Sequence, residues 1–171
     1  MQRVLVLGCG GAGKSTLAHR LGEITGLPVI HLDAEYWRPG WVETPKEPWR
    51  ARVRELVARE RWIMDGNYAD TLELRLPAAD TIIFLDCARW RCLLRVFRRV
   101  AANAGRTRPD MGPGCPEKLD LEFLRWVWSF NAGDRQKVLQ ALHRHSSGKA
   151  LHVLRTPCDA RRFVQSLEEQ V

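Results

Sequence analysis

The chain has 171 residues, 45% hydrophobic and 27% charged, which suits one globular domain with a core of its own. No apolar run approaches the roughly 18 residues of a membrane span, and five scattered cysteines without a C-x-x-C pair argue against a zinc ribbon or a disulfide framework. The net charge of +7 comes from 22 arginines against 5 lysines, and the arginine fork suits phosphate.

Residues 4–7, V-L-V-L, read as a short buried parallel strand. This stretch ends at once in glycines, so a secretory leader is not expected and a cytoplasmic location is. Gly8 to Ser15 then read G-C-G-G-A-G-K-S, the pattern G-x-x-x-x-G-K-S/T of a phosphate-cradling P-loop. Residues 14–25 follow with apolar Leu17, Ala18, Leu21 and Ile24 at helical spacing. A strand-to-helix turn aims backbone N–H groups and the positive helix end at an anion. Gly8, Gly10, Gly11 and Gly13 are expected to omit the Cβ atoms that would block its approach. With Ala12, Lys14, Ser15 and Thr16 they form the expected ATP site. Lys14 reaches the β- and γ-phosphates, and the Ser15 hydroxyl is a ligand for Mg²⁺.

A second strand, residues 29–32, leads to Asp33. An acid at the carboxyl end of a strand lies in the crevice where open α/β sheets bind ligands. Asp33 is placed to take a proton from an acceptor hydroxyl or to help hold Mg²⁺; the alternative is a turn cap. His31 carries no assigned role. Residues 34–48, rich in Trp, Pro and Gly, interrupt the pattern. There Tyr36, Trp37 and Trp41 either stack on a planar substrate or cover the sheet.

A helix is expected at 48–59 and a third strand at 62–64, running into D-G-N-Y. Asp65 has the Walker-B position for Mg²⁺, and Gly66 and Asn67 permit a tight turn beside the phosphates. The fourth strand, 81–85, ends in Asp86 in the same form; Asp65 is preferred because Asp86 precedes a helix that it can cap. That helix, 89–102, opens an arginine series with no acidic residue: Arg89, Arg91, Arg95, Arg98, Arg99, Arg106 and Arg108. Like charges so spaced repel unless an anion sits among them, as a triphosphate would. Arg95 and Arg99 are the candidate catalytic arginines, and Arg106 and Arg108 candidate substrate contacts; the alternatives are a solvated basic face or a nucleic-acid patch. Residues 102–116 hold three glycines and three prolines, the composition of a mobile lid. Helices at 119–131 and 134–145, a strand at 151–154 and a helix at 160–169 complete an alternation that means a parallel α/β sheet.

Taken together, G-C-G-G-A-G-K-S, the strand ending in Asp33, Asp65-Gly66 and the arginine helix leading to a lid resemble the adenylate kinase-like P-loop kinases over the whole chain. The resemblance implies a three-layer sandwich around a five-stranded parallel sheet of order 2-3-1-4-5. It also implies one domain over 1–171, with an acceptor-binding insert at about 34–59 and a lid at about 101–119. More narrowly, H-L-D-A-E-Y-W-R-P-G-W, D-G-N-Y and G-R-T-R-P-D-M-G-P-G-C-P-E resemble bacterial proteins labelled DNA topology modulation proteins. The insert lacks the AMP-binding stretch of true adenylate kinases. Asp33 is more similar to the acceptor-hydroxyl acid of shikimate- or gluconate-type kinases. The expected function is therefore Mg²⁺- and ATP-dependent transfer to a nucleoside, nucleotide or sugar-like acceptor. A nucleic-acid-associated ATPase is the alternative.

Overall fold

The structure, a computed structural model, describes residues 1–169. Five parallel strands make the sheet: β1 (Arg3–Gly8), β2 (Val29–His31), β5 (Trp62–Asp65), β6 (Thr81–Leu85) and β7 (Ala150–Leu154). Their order is β2-β5-β1-β6-β7, which is 2-3-1-4-5 when only the strands of this sheet are counted. Strands β3 (Trp37–Arg38) and β4 (Val42–Glu43) form a separate antiparallel hairpin within the insert.

Side chains along β1 alternate between two cores. Val4 and Val6 face one layer with Ile63, Ile83 and Leu85, closed by helices α1 (Lys14–Thr25) and α8 (Pro157–Glu168). Leu5 and Leu7 face the other with Met64, Ile82 and Phe84, closed by α3 (Lys46–Val57), α4 (Leu72–Ala78) and α7 (Asp134–His145). Burial on both faces explains why the strands read as unbroken apolar runs. Trp49 and Trp62, 1% and 0% exposed, are the largest side chains of the second core. Full burial of such a side chain stabilises the fold by about 1.5–3 kcal/mol.

Boundaries depart from the pattern where local chemistry is strong. The helix expected at 160 begins at Pro157, because Thr156 and Asp159 form a reciprocal capping box. The one expected at 119 begins at Leu121, since Asp120 accepts from the Glu122 and Phe123 amides and so caps α6 (Leu121–Ser129). The expected helix at 89–102 is α5 (Arg89–Asn103). Two short helices had no sequence signal: α2 (Leu32–Tyr36) and α4, which contains Pro77. Both are held by packing, Leu32 and Leu72 being buried.

Candidate active site

The order of the strands sets the site. β1 lies between β5 and β6, and Val6 is in register with Asp65, so the P-loop leaves the sheet beside the carboxyl end of β5. His31, at the end of β2, is in register with Asp65 from the other side. The crevice at the reversal of strand order therefore collects the ends of three strands.

Within it the Ser15 hydroxyl donates to Asp65 Oδ2 at 2.7 Å. The second carboxylate oxygen of Asp65 is 2.5 Å from His31 Nδ1, and His31 Nε2 is 3.2 Å from His19 Nε2. Burial works against charge on His31. The hydrogen bond to Asp65 and the fields of Asp65, Asp110 and Asp33 outweigh it, raising the imidazole pKa above its ordinary value. Asp86, the other strand-end acid, is gripped by Arg135 Nε and Nη2 at 2.7 and 2.8 Å. It does not cap α5, whose N-cap is Ala88.

Around the loop, Lys14 Nζ folds back to the Cys9 carbonyl at 3.1 Å. Arg95 Nη1 donates to the Ala12 carbonyl at 2.8 Å, placing one of the two candidate arginines on the P-loop itself. Thr16 is exposed on the first turn of α1. The glycines are also required by the packing around the loop. A Cβ on Gly11 would lie 2.4 Å from the Cys92 carbonyl, one on Gly10 2.6 Å from Phe123, and one on Gly8 2.7 Å from the Leu85 carbonyl. A Cβ on Gly13 would meet Arg95 Nη1 at 3.4 Å. The space that these glycines leave is filled by α5, α6 and β6, so they let the protein close on the loop from outside. Cys9 is buried, its thiol directed to the Val127 carbonyl.

Across the crevice, Asp33 Oδ1 accepts from the Tyr68 hydroxyl at 2.7 Å. Burial, and then the Asp33 charge, pushes the Tyr68 pKa far up, so this phenol is a permanent donor. Tyr36 packs against Trp37, Trp49 and Tyr68 with ring centroids 4.8–5.1 Å apart. The D-G-N-Y turn carries backbone strain: Gly66 has φ 137°, and Tyr68, a non-glycine, φ 27°. Arg75, wholly buried on α4, holds this turn by donating to the carbonyls of Gly66, Asn67 and Tyr68 at 3.0, 2.6 and 2.8 Å. Asn67 is buried, and its side-chain oxygen has no partner.

The lid sits on the insert. The Gly40 amide donates to the Gly114 carbonyl at 2.8 Å, and the Trp41 indole N–H to the Pro116 carbonyl at 3.0 Å. Trp41 therefore engages the lid, with Trp37 edge-on to it at 5.5 Å. Arg99 and Arg108 do not stand open to the crevice: both meet Glu117, at 2.9 and 2.7 Å, and Arg108 also meets Asp110 at 2.9 Å. Burial, followed by the charge of Arg108, lowers the Arg99 pKa despite Glu117. Arg106 is exposed at the lid's start.

Sequence reasoning missed Arg75, His31 and Glu117. The available signals were a single arginine within the apolar run L-E-L-R-L, a histidine two residues before Asp33, and the first acid after Asp110. Among the described residues no cluster of three or more His, Cys, Asp or Glu side chains is arranged to hold a metal. Mg²⁺ needs no such cluster. It keeps several waters and takes one or two protein oxygens plus phosphates, which the adjacent Ser15 and Asp65 oxygens fit.

No protein-family model matches the chain, and no curated protein matches it. Solved structures do. A shikimate kinase from Acinetobacter baumannii in complex with shikimate has a TM-score of 0.58 at 18% identity, over 99% of this chain and 92% of that one. A shikimate kinase from Bacteroides thetaiotaomicron has a TM-score of 0.54 at 19% identity, over 99% and 97%. An unliganded sugar kinase from Janibacter sp. has 0.52 at 19%, over 99% and 91%. At these identities the likeness is one of fold, and this chain has the fold of the small P-loop kinases.

Proposed function

We propose that this chain is a Mg²⁺- and ATP-dependent phosphotransferase acting on a hydroxyl of a small nucleoside, nucleotide or sugar-like acceptor. The observation that carries this is a pair of hydrogen-bonded couples at the ends of neighbouring strands: Ser15 bonded to Asp65, and Asp33 held by Tyr68 across the crevice. When bound, Mg-ATP supplies the transferable phosphoryl group with its charge partly neutralised. Ser15 and Asp65 would hold the ion, and the backbone from Gly8 to Thr16 would cradle the phosphates. Lys14, which rests on the Cys9 carbonyl, would turn to the phosphate oxygens. Asp33 accepts the proton of the attacking hydroxyl through the oxygen that Tyr68 leaves open. Arg95 fixes the loop against α5, and Arg99 would meet the phosphates only on release from Glu117. Tyr36, Trp37, Trp41, Gly66, Asn67, Arg106 and Arg108 form the acceptor side. In this reading residues 1–171 are one kinase-like domain, and its compartment is the cytoplasm, where ATP is used.

The test is ADP release from Mg-ATP over a panel of nucleosides, nucleotides, sugars and hydroxy-acids, with Asp33→Asn alongside. The variant should lose about 100-fold or more in turnover on the true acceptor while its ATP affinity stays within about threefold. Turnover that survives the change removes Asp33 from the acceptor side.

The second reading is a nucleic-acid-associated ATPase, as the topology-modulation label implies. One feature favours it, the five arginines of α5 with no acid among them. None of the comparisons supports that label. Duplex affinity that falls steeply with salt and depends on ATP would establish this reading; no binding near physiological salt removes it.

A further inference from the structure

The outer face of α5 and α6 is apolar and uncovered. On α5, Trp90, Leu94 and Phe97 recur at i, i+4 and i+7 and are 57, 42 and 49% exposed. They lie on the side opposite Cys92 and Val96, which face Gly11 of the P-loop. On α6, Leu121 and Trp128 are 64 and 50% exposed, with Leu124 on the same stripe. A shallow groove of about 370 Å³ runs between the helices, lined by Leu93, Phe97, Leu121, Leu124, Arg125 and Trp128, with Trp90 and Leu94 on the adjoining exposed face of α5. Contiguous apolar patches of this kind mark interaction sites.

Cations border the patch. Arg89, Arg98 and Arg125 are exposed. The Arg89 guanidinium lies 4.1 Å over the Trp128 ring, and that of Arg91 5.0 Å over Trp90. Glu122 is the only acid on either helix. What covers this face must be apolar with an anionic rim. A second copy of the chain would set these arginines against their own kind. Nucleic-acid bases need open aromatic faces; two here already carry arginines, and Leu94, Leu121 and Leu124 offer no stacking. An anionic bilayer fits every component. Leucine and phenylalanine enter the acyl boundary, tryptophan sits at the interface, and arginine meets lipid phosphate.

We propose that the outer face of α5 and α6 docks the protein on an anionic lipid surface. The contact is peripheral, since among the described residues no helix is long and apolar enough to cross a membrane. The sequence carries the expectation of no membrane partner, and the surface contact is proposed against it. It is independent of the proposed chemistry, because the opposite side of α5 holds the P-loop through Arg95.

The experiment is co-sedimentation of the full chain with vesicles of about 30% phosphatidylglycerol in phosphatidylcholine, and with pure phosphatidylcholine. Binding to the anionic vesicles should exceed that to the neutral ones by about tenfold and weaken by a similar factor at about 0.5 M salt. Leu94→Glu and the pair Trp90→Ala with Phe97→Ala, all surface changes, should each reduce binding about tenfold while ATP turnover is kept. Three results overturn the proposal: no binding to anionic vesicles, binding unchanged by Leu94→Glu, or a dimer mass in light scattering that Leu94→Glu converts to monomer.

Discussion

Arg75 shows what a single buried charge does. Burial holds its pKa down to about 9, the fields of Asp70 and Tyr68 opposing, yet it stays charged at neutral pH. No carboxylate bonds to it; its partners are three successive carbonyls and the Thr71 hydroxyl. Arg75→Met would leave those carbonyls without a donor and cost about 3 kcal/mol, read from urea unfolding. Turnover should fall with it, because Tyr68 then no longer fixes Asp33. Arg75→Lys should restore less than half of either, an ammonium being unable to span three carbonyls. Asp80 contributes to acid behaviour. Burial raises its pKa, but bonds from the Thr81 hydroxyl and the Arg3 and Gln2 amides win and lower it. Its contribution is complete above its unfolded value near 3.8 and is lost as pH falls through the folded one. Asp80→Asn should therefore flatten the loss of thermal stability below about pH 4. The turn that carries Lys14 and Ser15 and the strand end that leads to Asp33 were legible from motif and apolar pattern alone. Arg75 was not, because its partners are backbone groups that any sequence possesses.

At the level of elements, the longer periodic helices were legible apart from their ends, as were all five sheet strands. The hairpin of β3 and β4, two residues a side, is too short to have a period. The packing of α5 on the P-loop was also hidden, since it depends on the absence of a Cβ rather than the presence of a group. Gly11→Ala tests it. Its Cβ would press on the Cys92 carbonyl at 2.4 Å, and the residue sits at φ 76°. The expected outcome is a loss of about 2–4 kcal/mol in unfolding free energy and at least tenfold in ATP affinity by calorimetry. An unperturbed variant would mean that α5 is free to shift.

Across the whole molecule, the two excursions from the sheet meet each other. The insert hairpin and the lid share the Gly40–Gly114 and Trp41–Pro116 hydrogen bonds, and Glu117 ties the lid's end to α5 through Arg99 and to the lid's own Arg108. Glu117 is 5% exposed, so removing its charge leaves two partly buried guanidinium groups without that partner. Glu117→Gln should raise amide hydrogen exchange across residues 104–118 by about tenfold or more. Unchanged exchange would show that the backbone bonds alone hold the lid. The sequence by itself determined the glycine-rich strand-to-helix turn, the five sheet strands and the existence of two excursions, each written in consecutive residues or in the spacing of apolar runs. The strand order came only from the family resemblance, and the structure has it. Only the tertiary structure decided which acid joins Ser15. Asp65 and Asp86 end similar strands, and the difference lies in partners far along the chain: Ser15, 50 residues before Asp65, and Arg135, 49 residues after Asp86. Side-chain contacts at such separations follow from the order in which strands pair, and no local pattern encodes them.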